Sequence, residues 1–193
     1  MWCGSMCAAK TTGALHVARR YARHGKKVLL LRPAGSRRAH EKDGVKLATK
    51  NGETFPCFDI ASVEDIHHYV GKSDVVWLDE PNHFRNEHRL VQIVPEIRKT
   101  AIVLISGLGA TSELEPFGAS MGFFLATADY VEWKTADCDA CSTHGTATRS
   151  LYIGEAPKKG QLQVGGAESY RPVCPGCWNL LSLWTPAKRR TSF

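Results

Sequence analysis

The sequence predicts an α/β fold in which a parallel sheet is covered by helices, followed by a small cysteine-rich subdomain. Up to Lys134, apolar runs of strand length alternate with helical stretches, which is typical of parallel strands joined by helices. After Lys134 this alternation stops, and cysteines and glycines appear. We therefore expect an α/β domain over residues 1–135, a subdomain over 136–180 and a basic tail over 181–193.

Within the α/β region, each predicted element has its own local signal. Strands are predicted at residues 27–31, which are rich in valine and leucine, and at 74–78, 101–106 and 130–134, with a possible short strand at 56–60. Helices are predicted at residues 12–24, 63–70, 87–98 and 116–126. Ser62 can cap the second helix, and Pro95 can kink the third. Residues 34–54 have no periodicity, so we expect one long loop there.

Composition places the chain among ordinary globular proteins. Its 193 residues are 43% hydrophobic and 23% charged, enough for one main core that buries about 70% of the unfolded surface. The sequence has neither a secretory leader pattern nor an apolar run of the roughly 18 residues that a membrane span needs, so we expect a cytoplasmic protein. Part of the net charge of +6 lies in the tail near Arg189, which we interpret as a solvated end rather than a nucleic-acid site.

The first motif is one residue away from a phosphate-binding loop. Its residues are Gly4, Ser5, Met6, Cys7, Ala8, Ala9, Lys10 and Thr11, followed by Thr12. In such loops backbone N–H groups point at phosphate oxygens, the lysine reaches the terminal phosphates, and the Thr hydroxyl contacts Mg²⁺. Ala9 stands where the pattern has its second glycine, and the strand before Gly4 is either very short or shortened by a late chain start. The alternative is an ordinary helix start with an exposed lysine.

Two adjacent carboxylates follow an apolar predicted strand. Asp79 and Glu80 stand where a phosphate-loop enzyme needs an acid to hold the Mg²⁺ shell. The second carboxylate can then act as a general base. Read alone, the pair is equally typical of a solvated strand end. Together with Lys10 and Thr11, it favours a fold like that of the P-loop NTPases.

The cysteines contain the most specific motif of the chain. Two CxxC pairs, separated by residues 142–173, supply four thiols at Cys138, Cys141, Cys174 and Cys177. Two such turns can present four sulfurs tetrahedrally to a structural Zn²⁺ and leave no open position for catalysis. The alternative is four incidental buried cysteines. Cys3, Cys7 and Cys57 we interpret as small, buried hydrophobic residues.

In this order, these motifs resemble the zinc-containing thymidine kinases of the cellular and poxvirus-like type. The resemblance covers nearly the whole chain. It also rests on four further segments: Arg32-Pro33-Ala34 leading to Arg38, Lys42-Asp43-Gly44, Gly107-Leu108 before Glu115-Pro116-Phe117-Gly118, and Val164-Gly165-Gly166-Ala167-Glu168-Ser169-Tyr170. No single motif is decisive, but the series in this order is hard to obtain by chance.

The resemblance implies transfer of the ATP γ-phosphoryl group to the 5′-hydroxyl of thymidine or a related pyrimidine deoxynucleoside. By resemblance, Glu80 accepts the hydroxyl proton, Asp79 is the acid on the Mg²⁺ side, and Arg38 stabilises charge on the moving phosphoryl group. The loop between the cysteine pairs would be a lasso over the nucleoside. The implied nucleoside-binding positions are Met6, His83, Leu108, Ser112, Phe117, Gln161, Gln163, Val164 and Tyr170. Family members are commonly homotetramers, so we expect a tetramer or a dimer.

The departures from the family pattern make the base pocket more polar or roomier. Ser112 and His83 replace aromatic residues, and Asn82 replaces a glutamine. Gln161 and Gln163 replace small apolar residues of the lasso. The expected substrate is thymidine or deoxyuridine, and these changes leave room for a modified pyrimidine. With Ala9 and Gly109, they also keep open a catalytically silent, nucleotide-binding or regulatory relative; a zinc module on nucleic acid fits least well because the cysteine pairs lie far apart.

Overall fold

The computed structural model describes residues 1–36, 46–49, 52–69, 71–154 and 168–182. Backbone contacts divide the chain into two compact units. The first, which we call the core unit, comprises Met1–Cys3, Lys10–Gly109 and Pro116–Glu132. The second, the cysteine unit, comprises Gly4–Ala9, Ala110–Glu115 and Trp133–Phe193.

Ten strands and four α-helices follow one another along the described residues. The strands are β1 Trp2–Gly4, β2 Val28–Pro33, β3 Lys46–Ala48, β4 Thr54–Pro56, β5 Phe58–Ile60, β6 Val75–Asp79, β7 Ile102–Leu108, β8 Glu132–Lys134, β9 Arg149–Tyr152 and β10 Tyr170–Val173. The helices are α1 Lys10–Arg23, α2 Leu90–Arg98, α3 Gly118–Thr127 and α4 Pro175–Leu181. Six strands form one sheet in the order β5-β2-β6-β7-β1-β8, and β2 pairs in parallel with β5 and β6, as β6 does with β7. The predicted α/β class with a parallel sheet is therefore confirmed.

The central strands are apolar because both faces of the sheet are covered. Alternate residues of β2, β6 and β7 point to opposite faces. On one face, Leu30, Trp77 and Leu104 share an apolar cluster with residues of α1. On the other, Leu31 and Leu78 share a cluster with residues of α2 and α3. This two-sided packing fixes the carboxyl ends of β6 and β7 next to each other.

Most predicted elements are present, with shifts at their ends. The predicted strands at residues 27–31, 74–78 and 101–106 correspond to β2, β6 and β7, and the predicted helix at 12–24 corresponds to α1. The possible strand at 56–60 is the end of β4 followed by β5, while β8 begins at Glu132. The first strand, β1, comprises three residues.

Three expectations need correction. Val63–His68 is a 3₁₀-helix rather than an α-helix, although Ser62 caps it in a capping box with Asp65 as expected. The predicted helix at 87–98 divides into a 3₁₀ turn, Glu87–Arg89, and α2. The predicted long loop at 34–54 contains β3, which pairs antiparallel with β4. Short elements of this kind give no periodic sequence signal.

The described part of the cysteine unit is small. Strands β9 and β10 pair antiparallel, and α4 follows β10 directly. Its buried cluster consists of Cys138, Leu151 and Val173. Among the described residues of the whole chain, no helix is both long and apolar enough to cross a bilayer.

Candidate active site and metal centre

The carboxyl end of β6 gathers polar side chains inside the core unit. Asp79, the last residue of β6, is 3% exposed. The Thr11 hydroxyl, in the first turn of α1, donates a hydrogen bond of 3.2 Å to Asp79 Oδ1. The Ser106 hydroxyl donates to the same oxygen. Thr11 of the phosphate-loop motif and the predicted metal-side acid Asp79 thus meet in one buried cluster.

Ser106 belongs to a longer hydrogen-bonded chain that sequence reasoning did not find. The indole Nε1 of Trp77 donates to Ser106 Oγ over 2.7 Å. Trp77 and Asp79 lie two residues apart on β6 and therefore face the same side of the sheet. In the sequence, the signal was only a tryptophan in an otherwise aliphatic strand.

Glu80 adopts a backbone conformation that is uncommon for a glutamate. Its φ and ψ angles are 50° and 51°, in the left-handed region, and its N–H donates to the Ser106 carbonyl over 2.7 Å. Such a conformation costs on the order of 1 kcal/mol and is concentrated at functional sites. The side chain is half-buried. No sequence signal predicted this turn.

Asn82 and His83 continue the turn after Glu80, and both place polar side-chain atoms in buried positions. Neither atom of the Asn82 amide finds a hydrogen-bond partner among the described residues, although the side chain is only 6% exposed. A Cβ at Gly107 would lie 3.2 Å from Asn82 Oδ1, so glycine leaves room for this amide. His83 packs its ring against Phe117 with centroids 5.2 Å apart. Burial lowers the pKa of His83 below its ordinary value, and the nearby Glu80 carboxylate opposes that shift.

A carboxylate fixes the helix that follows Phe117. Glu87 accepts hydrogen bonds of 2.9 Å from the backbone N–H groups of Ala119 and Ser120, in the first turn of α3. Gly118 has a φ of +76°, and a Cβ there would lie 2.9 Å from the Glu87 carboxyl group. Sequence reasoning missed this contact, which joins residues far apart in the chain.

The segment Gly4–Ala9 lies in the cysteine unit and contains two left-handed non-glycine residues. The φ angles are 60° at Cys7 and 54° at Ala9. Cys7 is exposed, so the expectation that it is buried was wrong. Ala9 occupies the position where the phosphate-loop pattern has glycine, and the observed φ gives the physical reason for that preference. Ser5 Oγ donates to the Ala147 carbonyl, and the Met6 N–H donates to Ser150 Oγ, each over 2.9 Å. The segment is therefore tied to the described residues of its own unit.

The four paired cysteines converge in space. Their sulfur atoms all lie within 4.8 Å of one another, and those of Cys141 and Cys174 are 4.0 Å apart. Four sulfurs bound to one Zn²⁺ stand about 3.8 Å apart, so the donor set and its spacing fit this ion. Burial acts against ionisation of Cys138, yet backbone N–H groups, that of Cys174 foremost, lower the pKa of its thiol to about 6. This cluster can hold a structural zinc ion.

The remaining predicted site residues are placed as follows. Lys10 begins α1 and Thr12 lies in its first turn, while Leu108 ends β7. In the cysteine unit, the Trp178 indole donates to the Ser112 carbonyl over 3.2 Å. The ring of Tyr170 lies 5.1 Å from that of Tyr152, and burial raises the pKa of Tyr170 to about 12. Outside the described residues lie the predicted positions Arg38, Gln161, Gln163 and Val164 and residues 183–193 of the basic tail.

Comparison with known proteins identifies the family. A family model described as thymidine kinase matches residues 1–178. The chain is 30% identical over 175 residues to a thymidine kinase of Mycoplasma genitalium, covering 89% of this chain and 78% of the relative. It is also 30% identical over 179 residues to one from Enterococcus faecalis, with 89% of each chain covered. Thymidine kinase 1 of Dictyostelium discoideum is 25% identical over 177 residues, or 91% of this chain and 75% of the relative. The chain therefore belongs to the thymidine kinase family and is a kinase that transfers phosphoryl groups.

Proposed function

We propose that this protein transfers the γ-phosphoryl group of ATP to the 5′-hydroxyl of thymidine or a related, including a modified, pyrimidine deoxynucleoside. The observation that carries the proposal is the buried cluster at the end of β6, where Thr11 and Ser106 both donate to Asp79 and Glu80 follows directly. An ordinary solvated strand end would not require these groups to meet. Their convergence supports a phosphoryl-transfer site rather than a solvated strand end.

The oxygen atoms of this cluster fit Mg²⁺. Thr11 Oγ1 and Asp79 Oδ1 are hard donors 3.2 Å apart, a spacing at which both can face one ion or its water shell. When bound with ATP, the ion neutralises charge on the phosphate oxygens. By resemblance, Lys10 and the backbone of Gly4–Ala9, followed by Thr12, bind the phosphates. We therefore assign these residues to the binding of ATP and Mg²⁺ as part of the proposed function.

In the proposed reaction, Glu80 accepts the proton of the nucleoside 5′-hydroxyl. The 5′-oxygen then forms a bond to the γ-phosphorus as the bond to the bridging oxygen of ADP breaks. The left-handed backbone at Glu80 supports this role, because the turn projects the residue away from the direction of β6 immediately after Asp79. Arg38 is proposed, by resemblance, to stabilise the transferring phosphoryl group.

By resemblance, the residues proposed to bind the nucleoside are Met6, His83, Leu108, Ser112, Phe117, Gln161, Gln163, Val164 and Tyr170. Within the core unit, the paired rings of His83 and Phe117 support a wall that is partly aromatic and partly polar. Such a wall suits a pyrimidine with a polar substituent better than an apolar aromatic pair would. The cysteine cluster is proposed to hold a structural Zn²⁺, and the assembly is proposed to be a homotetramer or a homodimer in the cytoplasm.

One observation favours a second candidate function. Ala9 adopts φ 54° in the phosphate loop, where a Cβ costs about 1–2 kcal/mol. A catalytically silent relative that binds nucleotide and regulates a partner would tolerate this strain. The two candidates differ in whether a phosphoryl group moves.

A transfer assay separates them. The purified full chain is incubated with Mg²⁺, ATP labelled on the γ-phosphate, and thymidine, deoxyuridine or 5-hydroxymethyldeoxyuridine, with nucleotide binding measured in parallel. The proposal expects labelled 5′-monophosphate from at least one of these nucleosides. ATP binding without transfer to any of them would overturn it in favour of the silent relative.

A further inference from the structure

Three buried side chains of the core unit form a continuous hydrogen-bonded chain that ends on Asp79. Trp77 is fully buried, and Ser106 is 1% exposed. The Trp77 indole donates to Ser106 Oγ over 2.7 Å, and the Ser106 hydroxyl donates to Asp79 Oδ1. Since all three groups are shielded from water, the hydrogen bonds are stronger than on a surface and more costly to lose.

The sheet register places these groups together. Asp79 lies opposite Ser106 on the neighbouring parallel strand, while Trp77 lies opposite Leu104. Trp77 therefore reaches Ser106 diagonally, a span that only a long side chain covers. The indole is held in place by the apolar cluster that includes Leu15 of α1, and its ring lies 6.3 Å from that of Phe55.

The direction of the chain is fixed by chemistry. An indole N–H can only donate, and a serine hydroxyl has a single hydrogen. With the Trp77 N–H directed at the Ser106 oxygen, that single hydrogen is free to be directed to the Asp79 carboxylate. Hydrogen bonds in such a series polarise and strengthen one another. Asp79 Oδ1 is thus held by Ser106 as well as by Thr11.

We propose that Trp77 and Ser106 are positioning residues that hold the Asp79 carboxylate in the orientation needed for the Mg²⁺·nucleotide complex. This inference rests on the proposed function, in which Asp79 is the acid on the metal side. Groups that orient a metal-facing carboxylate typically change metal affinity by about 10- to 100-fold when removed. A purely structural role, in which Ser106 only satisfies the buried indole, would change stability but not the Mg²⁺ requirement.

The test measures how the affinity for a non-hydrolysable ATP analogue depends on Mg²⁺ concentration, by calorimetry on the full chain. Ser106→Ala is expected to raise the Mg²⁺ concentration at half-maximal effect about tenfold and to leave the Mg²⁺-free affinity unchanged. Ser106→Thr, which keeps the hydroxyl, is expected to restore most of the loss. Ser120→Ala is the matched control, because it removes a fully buried hydroxyl that has no partner among the described residues. It should leave the Mg²⁺ dependence unchanged.

Trp77→Phe removes the indole N–H while keeping an aromatic ring in the core. It therefore tests the hydrogen-bonded chain even if Ser106→Ala does not fold. It is expected to raise the Mg²⁺ requirement by less than Ser106→Ala does. Because the effect of Trp77 passes through Ser106, adding Trp77→Phe to Ser106→Ala should change the requirement no further. An unchanged Mg²⁺ dependence in Ser106→Ala would overturn the inference. If only Trp77→Phe folds, an unchanged Mg²⁺ dependence in that variant would do the same. The inference also fails if the double variant raises the Mg²⁺ requirement by the product of the two single effects.

The same measurement separates this inference from the proposed function. Wild-type protein that binds nucleotide in a Mg²⁺-dependent way but transfers no phosphoryl group would refute the proposed reaction and leave the positioning role intact. Wild-type protein whose nucleotide binding ignores Mg²⁺ would refute the positioning role, because Asp79 would then have no ion to face.

Discussion

The core unit and the cysteine unit keep their functional side chains in place by different means. The core unit packs apolar clusters on both faces of its sheet, and Thr11 and Ser106 hold Asp79 by hydrogen bonds at the end of β6. The described buried cluster of the cysteine unit contains only Cys138, Leu151 and Val173. Each fully buried aliphatic side chain contributes at most about 3 kcal/mol. A unit with so small a core needs another source of stability, which the four converging sulfurs can supply through an ion.

Removing zinc should therefore have the largest effect and should be confined to one unit. Structural zinc sites contribute on the order of 10 kcal/mol to folding. Chelation, or Cys174→Ser, is expected to expose the amides of β9, β10 and α4 to hydrogen exchange while those of β2, β6 and β7 stay protected. Hydrogen exchange followed by mass spectrometry measures both regions in one sample.

The control for this comparison is Cys57→Ala, which removes a buried thiol that lies outside the sulfur cluster. Its zinc content, measured by atomic absorption, should equal that of the wild type. If β9, β10 and α4 stay protected after complete removal of zinc, the small apolar core suffices and the contrast between the units is wrong.

In the core unit, the largest expected effect is on chemistry rather than on folding. Glu80→Gln keeps the size of the side chain but cannot accept a proton, so kcat should fall by about 10²- to 10⁴-fold. ATP affinity and the thermal midpoint should stay close to the wild-type values, because the core clusters are unchanged. Steady-state kinetics with thymidine and calorimetry with ATP give the two readings. Full activity in this variant would show that Glu80 is not the general base.

How far the sequence predicted this site depends on how local each contact is. The meeting of Thr11 and Asp79 followed from general rules, since a phosphate loop and an acid at a strand end share one edge of a parallel sheet. The role of Ser106 depends on strand register, which pairs it with Asp79 across residues far apart in sequence. The left-handed Glu80 had no signal at all, because glutamate does not favour that conformation. Local spacing thus predicted the cysteine cluster and the strand ends, while contacts made through tertiary structure were missed.

The helix α3 offers a test of how tightly the core unit is built. Gly118→Ala places a Cβ 2.9 Å from the Glu87 carboxyl group at a φ of +76°, so it should lower the free energy of unfolding by about 1–3 kcal/mol. Gly122→Ala is the matched control on the same helix, because nothing lies within 4 Å of a Cβ there. That change should instead stabilise by about 0.5–1 kcal/mol. Urea unfolding of both variants checks the difference in sign.

In the phosphate-loop segment of the cysteine unit, the reverse change, from alanine to glycine, should stabilise. Ala9→Gly is expected to stabilise the chain by about 1 kcal/mol, because it relieves a left-handed alanine. Ala8→Gly is the control: Ala8 is 2% exposed and has no left-handed φ, so the same change there should destabilise. A rise in kcat with Ala9→Gly would show that the backbone strain at Ala9 limits turnover. An unchanged kcat would show that this strain lowers only the stability of the chain.

The smallest expected effect concerns acid and again belongs to the core unit. Burial lowers the pKa of His83 in the folded protein below its ordinary value of 6.5, so the unfolded chain binds a proton more readily. The neutral, buried histidine therefore contributes stability that is fully present above pH 6.5 and is lost as the pH falls toward the lowered, folded-state pKa. His83→Phe keeps a ring against Phe117 but cannot be protonated. Urea midpoints of the wild type and of His83→Phe are measured at pH 7.5 and 5.5. Both proteins retain the cysteine cluster, so its acid sensitivity cancels when their losses are compared. The wild type should lose more stability than His83→Phe over this interval; equal losses would mean that the buried ring is protonated without cost.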